Sequence, residues 1–216
     1  MKCKWIIITG LDGAGKTTLK SNLSNYLKNE HKKVKEYHSP YDQHLKSLLD
    51  LSGDGKPMKD SYTDFLIFAL DHRLQNYRIK RARKKYDYII SQRGPVDLFV
   101  HASLWGYNYK QTYSILQMNE LETCEILIHL NAKPEIAYQR IKDDKKADKY
   151  EYLEYIKKQY KETKKLFVEI QNKNKYLDGY SKAINIYIDT TNLSTEETFK
   201  IVLEELNKNN VFENLK

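Results

Sequence analysis

Cysteine is scarce in this chain. Only Cys3 and Cys124 occur, each in or beside an apolar, strand-like run. A disulfide framework or a thiolate metal site draws on more cysteines at closer spacing. The pair reads instead as two small buried hydrophobes, which suits a reducing compartment. Long apolar runs are also missing. No stretch approaches the roughly 20 apolar residues of a membrane-spanning helix. The start does not resemble a secretory leader, because Met1-Lys2-Cys3-Lys4 leads into only the short run Trp5 to Ile8. No repeat and no domain linker stand out, and Ser52-Gly53-Asp54-Gly55-Lys56-Pro57 reads as a surface loop. The expectation is a cytoplasmic protein with no membrane association, its 216 residues forming one domain.

Forty per cent of the residues are hydrophobic, enough for a sizeable core. The formal net charge is +8. A basic balance can signal a nucleic-acid partner. It is equally what polyanionic small substrates or a lysine-rich composition produce, and nucleic acid is not favoured on charge alone.

Apolar runs alternate with helical patterns. Strands are expected at Trp5–Ile8, Lys33–Tyr37, Tyr86–Ile90, Glu125–Leu130 and Ile184–Ile188. Helices are expected over Thr17–Asn29, Ser61–Lys85, Leu98–Trp105, from Pro134 onward, and over Thr195–Leu206. Pro134 suits a first helical position, where its missing N–H costs nothing, and Ser194 is a candidate N-cap. In the long second helix, Tyr62, Phe65, Leu66, Ala69 and Leu70 are expected on one face. Isoleucine-rich strands alternating with helices imply a parallel sheet buried on both sides. The fold class is therefore α/β, a three-layer α/β/α arrangement around a central parallel sheet.

The most specific signal is Gly10-Leu11-Asp12-Gly13-Ala14-Gly15-Lys16-Thr17-Thr18. Gly10, Gly15, Lys16 and Thr17 match G-x-x-x-x-G-K-[ST] between an expected strand and an expected helix, the context the motif requires. Glycines there let successive backbone N–H groups point inward at phosphate oxygens, and the helix start adds its positive dipole end. Lys16 is expected at the β- and γ-phosphates, and the Thr17 hydroxyl on Mg²⁺.

Other absences narrow the class. The guanine-reading N-K-x-D of a GTPase is missing: Asn131-Ala132-Lys133-Pro134 lacks the aspartate. The strand end that carries Asp or Asp-Glu in motor and AAA-type ATPases is here Ser91-Gln92-Arg93. Four segments, in order and over nearly the whole length, resemble a thymidylate kinase, within the wider group of nucleoside and nucleoside-monophosphate kinases. They are the phosphate loop; Thr63-Asp64-Phe65-Leu66-Ile67-Phe68-Ala69-Leu70-Asp71-His72-Arg73; Ile89-Ile90-Ser91-Gln92-Arg93; and Asp148-Lys149-Tyr150-Glu151 after Arg140.

The resemblance implies a phosphate-loop kinase that uses ATP and Mg²⁺ to phosphorylate a dTMP-like monophosphate. A nucleoside or a modified base within DNA is the alternative acceptor, and a non-catalytic nucleotide-binding module the least favoured one. It implies that Asp12 faces the acceptor sugar, Phe68 stacks on the acceptor base, Arg93 meets the transferring phosphoryl group, and the loop at Thr190 packs on adenine. A lid at about residues 140–152 would bring a basic residue to the reaction, Arg140 or else Lys145, Lys146 or Lys149. Arg140, with Lys16, Asp12 and Arg93, is assigned to catalysis, and a homodimer through helices is implied.

Three departures bear on the acceptor. Gln92 stands where the family has the acid of Asp-Arg, so no base is supplied there, which favours a monophosphate acceptor over a hydroxyl, or else an altered site. The phosphate-gripping arginine after the second strand is missing from Tyr37-His38-Ser39-Pro40-Tyr41-Asp42, leaving His38 or Tyr41 to substitute. The base-reading arginine is displaced, with His72 in its place and Arg73 one residue on. The run Arg78 to Lys85 could track a phosphate backbone. The plainer account is a solvated, cationic helix end.

Overall fold

A computed structural model describes residues 2–40, 42–51, 61–142 and 152–212. Among them, five strands form one parallel sheet: β1 (Lys4–Gly10), β2 (Val34–His38), β3 (Tyr88–Gln92), β4 (Ile126–Asn131) and β5 (Ile184–Asp189), in the order β2-β3-β1-β4-β5. The expected strands are all present, shifted by one or two residues. The connecting helices are α1 (Lys16–Asn29), α2 (Gln43–Leu51), α3 (Ser61–Ala82), α4 (Pro95–Leu104), α5 (Tyr109–Leu116), α6 (Pro134–Ile141), α7 (Leu153–Gln171), the short α8 (Asp178–Ser181) and α9 (Thr195–Lys208).

The two-residue repeat of a strand sends neighbouring side chains to opposite faces, and here each face has its own core. Trp5 and Ile7 of β1, with Ile89 and Leu127, pack under Phe65 of α3 and Phe99 of α4. Ile6 and Ile8, with Tyr88, Ile90, Ile126 and Ile128, pack under Leu19, Leu23 and Leu27 of α1 and Val202 of α9. This is why β1, β3 and β4 read as unbroken apolar runs. Cys3 and Cys124 are buried free thiols, as expected.

Helix boundaries follow local chemistry. The Ser194 Oγ accepts from the Glu197 N–H at 3.1 Å, and the Glu197 carboxylate accepts from the Ser194 N–H at 2.8 Å, a reciprocal cap for α9. Pro134 opens α6 as expected. The α4 helix starts earlier than Leu98 because Pro95 occupies its first turn and Asp97 accepts from the Gly94 N–H at 2.9 Å.

The expected apolar face of α3 divides into two rows. Phe65 and Ala69 are buried, whereas Tyr62, Leu66 and Leu70 are exposed. Positions 65 and 69 lie one row around the helix from 62, 66 and 70, and the core cluster that holds Trp105 and Tyr107 covers only the first row. Among the described residues, no helix is long and apolar enough to cross a membrane.

Candidate functional site

Gly10 ends β1, and the phosphate loop turns back at once into α1. At Gly10, φ is +126° and a Cβ would stand 1.7 Å from the Leu130 carbonyl oxygen of the neighbouring strand, so only glycine fits. Gly13, with φ +80°, would place a Cβ 2.2 Å from the Ala137 carbonyl oxygen of α6. Leu11 and Ala14 are buried beneath the loop, and the Ala14 N–H donates to Leu11 O at 3.2 Å. Gly15 precedes the first turn of α1 in the left-handed region, with Thr17 and Thr18 exposed beyond it.

Lys16 turns back across this loop. Its ammonium donates to Gly10 O at 2.9 Å, Leu11 O at 2.6 Å and Asp12 Oδ1 at 2.8 Å. The same Asp12 oxygen accepts from the Arg93 guanidinium. Arg93 reaches it from the carboxyl end of β3, where its backbone takes a left-handed turn at φ +67° and its N–H donates to Ile8 O at 2.9 Å. In parallel α/β sheets the crevice beyond the strand ends takes the ligand. Burial pushes the Asp12 carboxyl up, but Arg93 and Lys16 together hold it well below the usual carboxylate range. Burial lowers the Lys16 ammonium, an effect that Asp12 opposes. The result is one ionised carboxylate between two cations.

Thr17 and Gln92 meet beside this cluster, the hydroxyl donating to the amide oxygen at 3.1 Å. Both oxygens are hard, neutral donors. Mg²⁺ bound mostly by phosphates and water asks for little more than such a pair.

Arg140 bears on the phosphate loop and on the loop after β5. Its guanidinium donates to Gly13 O at 3.2 Å, Thr190 O at 2.9 Å, Thr191 O at 3.3 Å and Thr190 Oγ1 at 3.4 Å. The Thr190 hydroxyl is buried and lies 3.1 Å from Ala14 O and 3.0 Å from Asn131 O. Arg140 and Thr190 therefore brace the phosphate loop and join it to the loop after β5. Lys145, Lys146, Lys149 and the rest of the expected lid from 143 to 151 fall outside the described residues, as does Tyr41.

The α3 residues separate. Phe68 faces α4, its ring 6.3 Å from His101 at 8° and 6.1 Å from Trp105 at 25°. His72 is buried on the same face, and its Nδ1 has no hydrogen-bond partner among the described residues. Burial lowers its basicity, against the pull of Asp71 and Asp97. Arg73 turns the other way, donating to Leu116 O at 2.8 Å and Glu120 at 3.0 Å. One residue is about 100° around a helix, and that step takes Arg73 off the face that carries Phe68 and His72. His38 sits exposed at the end of β2, its ring nitrogen 3.3 Å from Pro40 O.

Pattern reading missed four residues around this cluster. Asp97 accepts from Thr9 Oγ1 at 2.5 Å. His101 pairs with the Tyr155 hydroxyl at 2.8 Å, and burial, aided by Arg93, lowers it to about 3. Trp105 completes the ring stack. Asp71 accepts from Ser39 Oγ at 2.7 Å and the Asp42 N–H at 2.9 Å, holding the turn after β2. Asp97, His101 and Trp105 recur along α4 at a spacing of four. That rhythm was legible, but a polar residue on an apolar helix carries no role by itself.

Comparison with known proteins gives a consistent result. The model of the thymidylate kinase family matches residues 8–185. A probable thymidylate kinase of Pyrobaculum aerophilum is 27% identical over 157 residues, spanning 71% of this chain and 78% of that protein. A solved structure of thymidylate kinase from Candida albicans superposes with a TM-score of 0.71 at 19% identity, covering 100% of this chain and 94% of that one.

Proposed function

The chain belongs to the thymidylate kinase family and is a nucleotide kinase, and we propose that it transfers the γ-phosphoryl group of ATP to dTMP with the help of Mg²⁺. The observation that carries this reading is the Lys16–Asp12–Arg93 cluster at the mouth of the phosphate loop. Phosphoryl transfer needs two anionic groups held in line and the charge between them neutralised. In this reading Lys16 holds the β- and γ-phosphates. Arg93 offers its planar fork to the group in transit. Asp12 keeps both cations aimed and faces the acceptor. Thr17 and Gln92 would hold Mg²⁺, which would supply further charge neutralisation at the phosphates. Phe68, His72 and His101 form the wall for the acceptor base. Arg140 and Thr190 keep the loop in shape on the nucleotide side.

The choice of a monophosphate acceptor rests on the absence of a working base among these residues. Asp12 is held ionised well below its ordinary range by two cations, which makes it a poor proton acceptor. His101, lowered to about 3, is no better, and Gln92 does not titrate. A phosphate acceptor needs no deprotonation, whereas a hydroxyl does. dTMP is therefore expected to exceed thymidine in kcat/KM by at least about 10², the usual scale of general-base assistance. A coupled ADP assay with both acceptors makes the comparison, and a preference for thymidine overturns the reading.

We also propose a homodimer through α3. Tyr62, Leu66, Leu70, Leu74 and Tyr77, from 36% to 61% exposed, recur along one side of that helix, and a contiguous apolar row of this kind marks an interaction surface. In sedimentation velocity the chain is expected to be dimeric and Leu70→Glu monomeric. The buried thiols of Cys3 and Cys124 suit a cytoplasmic setting.

A further inference from the structure

β2 is an outer strand of the sheet. Along it runs a groove of about 890 Å³ between the end of α3 and the start of α1. Its walls carry Lys20, Lys35, Arg78, Arg81, Lys84 and Lys85. The one acidic wall residue is Glu36, already engaged by Ser24 at 2.6 Å, Lys28 at 3.0 Å and Lys20 at 3.6 Å. Among the described residues, Lys35, Arg81, Lys84 and Lys85 have no carboxylate within ion-pair distance. Gathering like charges in a concave space is unfavourable unless an anion joins them, and the concave walls focus their field on it.

We propose that this groove docks a single strand of nucleic acid. The five residues of β2 give it a length of about 17 Å at roughly 3.3 Å per residue. A strand laid along that length brings a few consecutive phosphates past these cations, and each one neutralised releases counterions. Tyr86, half-buried, also lines the groove, and an aromatic face accepts a base without regard to sequence. Arg81 stands 6.0 Å over the ring of Tyr77 just outside it, a guanidinium held where a backbone would pass. A flat bilayer would reach only the exposed helix-end cations, Arg81, Lys84 and Lys85, and would leave the concave wall formed by Lys35 and Tyr37 unused. None of Lys16, Asp12 and Arg93 lines the groove, although His38, opposite Gln92 at the end of β2, does; with ATP and dTMP saturating, loss of docking and loss of kinase activity are read separately.

The test is fluorescence anisotropy of a labelled oligodeoxycytidylate, which contains neither adenine nor thymine, in the presence of saturating ATP and dTMP. Binding is expected at low salt, with log K falling against log salt at a slope of about −3, or 0.7 for each of the four unpaired cations. The triple variant R81E/K84E/K85E is expected to weaken binding at least about tenfold and to flatten that slope. The charge-removing variant R81Q/K84Q/K85Q is expected to do the same to a smaller degree. Both should keep the wild-type rate on dTMP, which reports an intact fold. Failure of the wild type to bind overturns the proposal. So does an unchanged affinity and slope in both variants, or tighter binding to phosphatidylserine vesicles than to the oligonucleotide.

Discussion

Lys16→Ala is expected to abolish phosphoryl transfer and leave the protein folded. The ammonium is held at the phosphate loop by three acceptors, Gly10 O, Leu11 O and Asp12. No second cation approaches from the loop itself, because Leu11, Asp12, Gly13 and Ala14 carry none. Removing one preorganised charge donor from a transfer site costs about 10² to 10³ in kcat, and here the same group also carries phosphate binding. The fold should survive. Asp12 keeps Arg93 as its partner, so no bare charge is left, and the two carbonyls lose a donor at roughly 1–3 kcal/mol. That is tolerable against a typical stability of about 5–15 kcal/mol. Circular dichroism and a coupled ADP assay are the measurements. Wild-type activity in the variant would sink the kinase reading.

Arg93→Ala is expected to lower kcat by about 10² to 10³, and Arg93→Lys by nearly as much, with little change in ATP Kd. The lysine variant is the sharper of the two. It keeps the charge beside Asp12 and removes the planar fork that can hold two phosphoryl oxygens at once. Measuring kcat and ATP Kd separately divides transfer from binding. A fully active Arg93→Lys would reduce the residue to an ion-pair partner of Asp12. Because Lys16 and Arg93 share one Asp12 oxygen, the Lys16 and Arg93 losses should combine to less than their sum.

Much of the framework was determined by local pattern. The unbroken apolar runs of β1, β3 and β4 could only be strands covered on both faces, since each has a core on either side. Gly10, Gly15, Lys16 and Thr17 announced the phosphate loop because its geometry rests on backbone conformations that few residues besides glycine adopt. Ser194 and Pro134 marked helix starts for equally local reasons. The long α7 was harder to read. Its inward positions Tyr155, Ile156, Gln159, Thr163, Leu166 and Ile170 keep helical spacing, but Gln159 and Thr163 interrupt the apolar signal.

What only the tertiary structure decided are the encounters between distant segments. Asp12 and Arg93 are 81 residues apart and meet because β1 and β3 are neighbours in the sheet. Arg140 braces Gly13 and Thr190 because β4 and β5 pair on the other side of β1. Arg73 leaves the face of Phe68 and His72 because α5 and the turn after it offer Leu116 O and Glu120 in the opposite direction. The exposed row of α3 and the cationic groove beside β2 belong to the same kind of decision. A helix or strand written alone does not say which of its sides a neighbour will cover, because burial is a property of the pair and not of the segment.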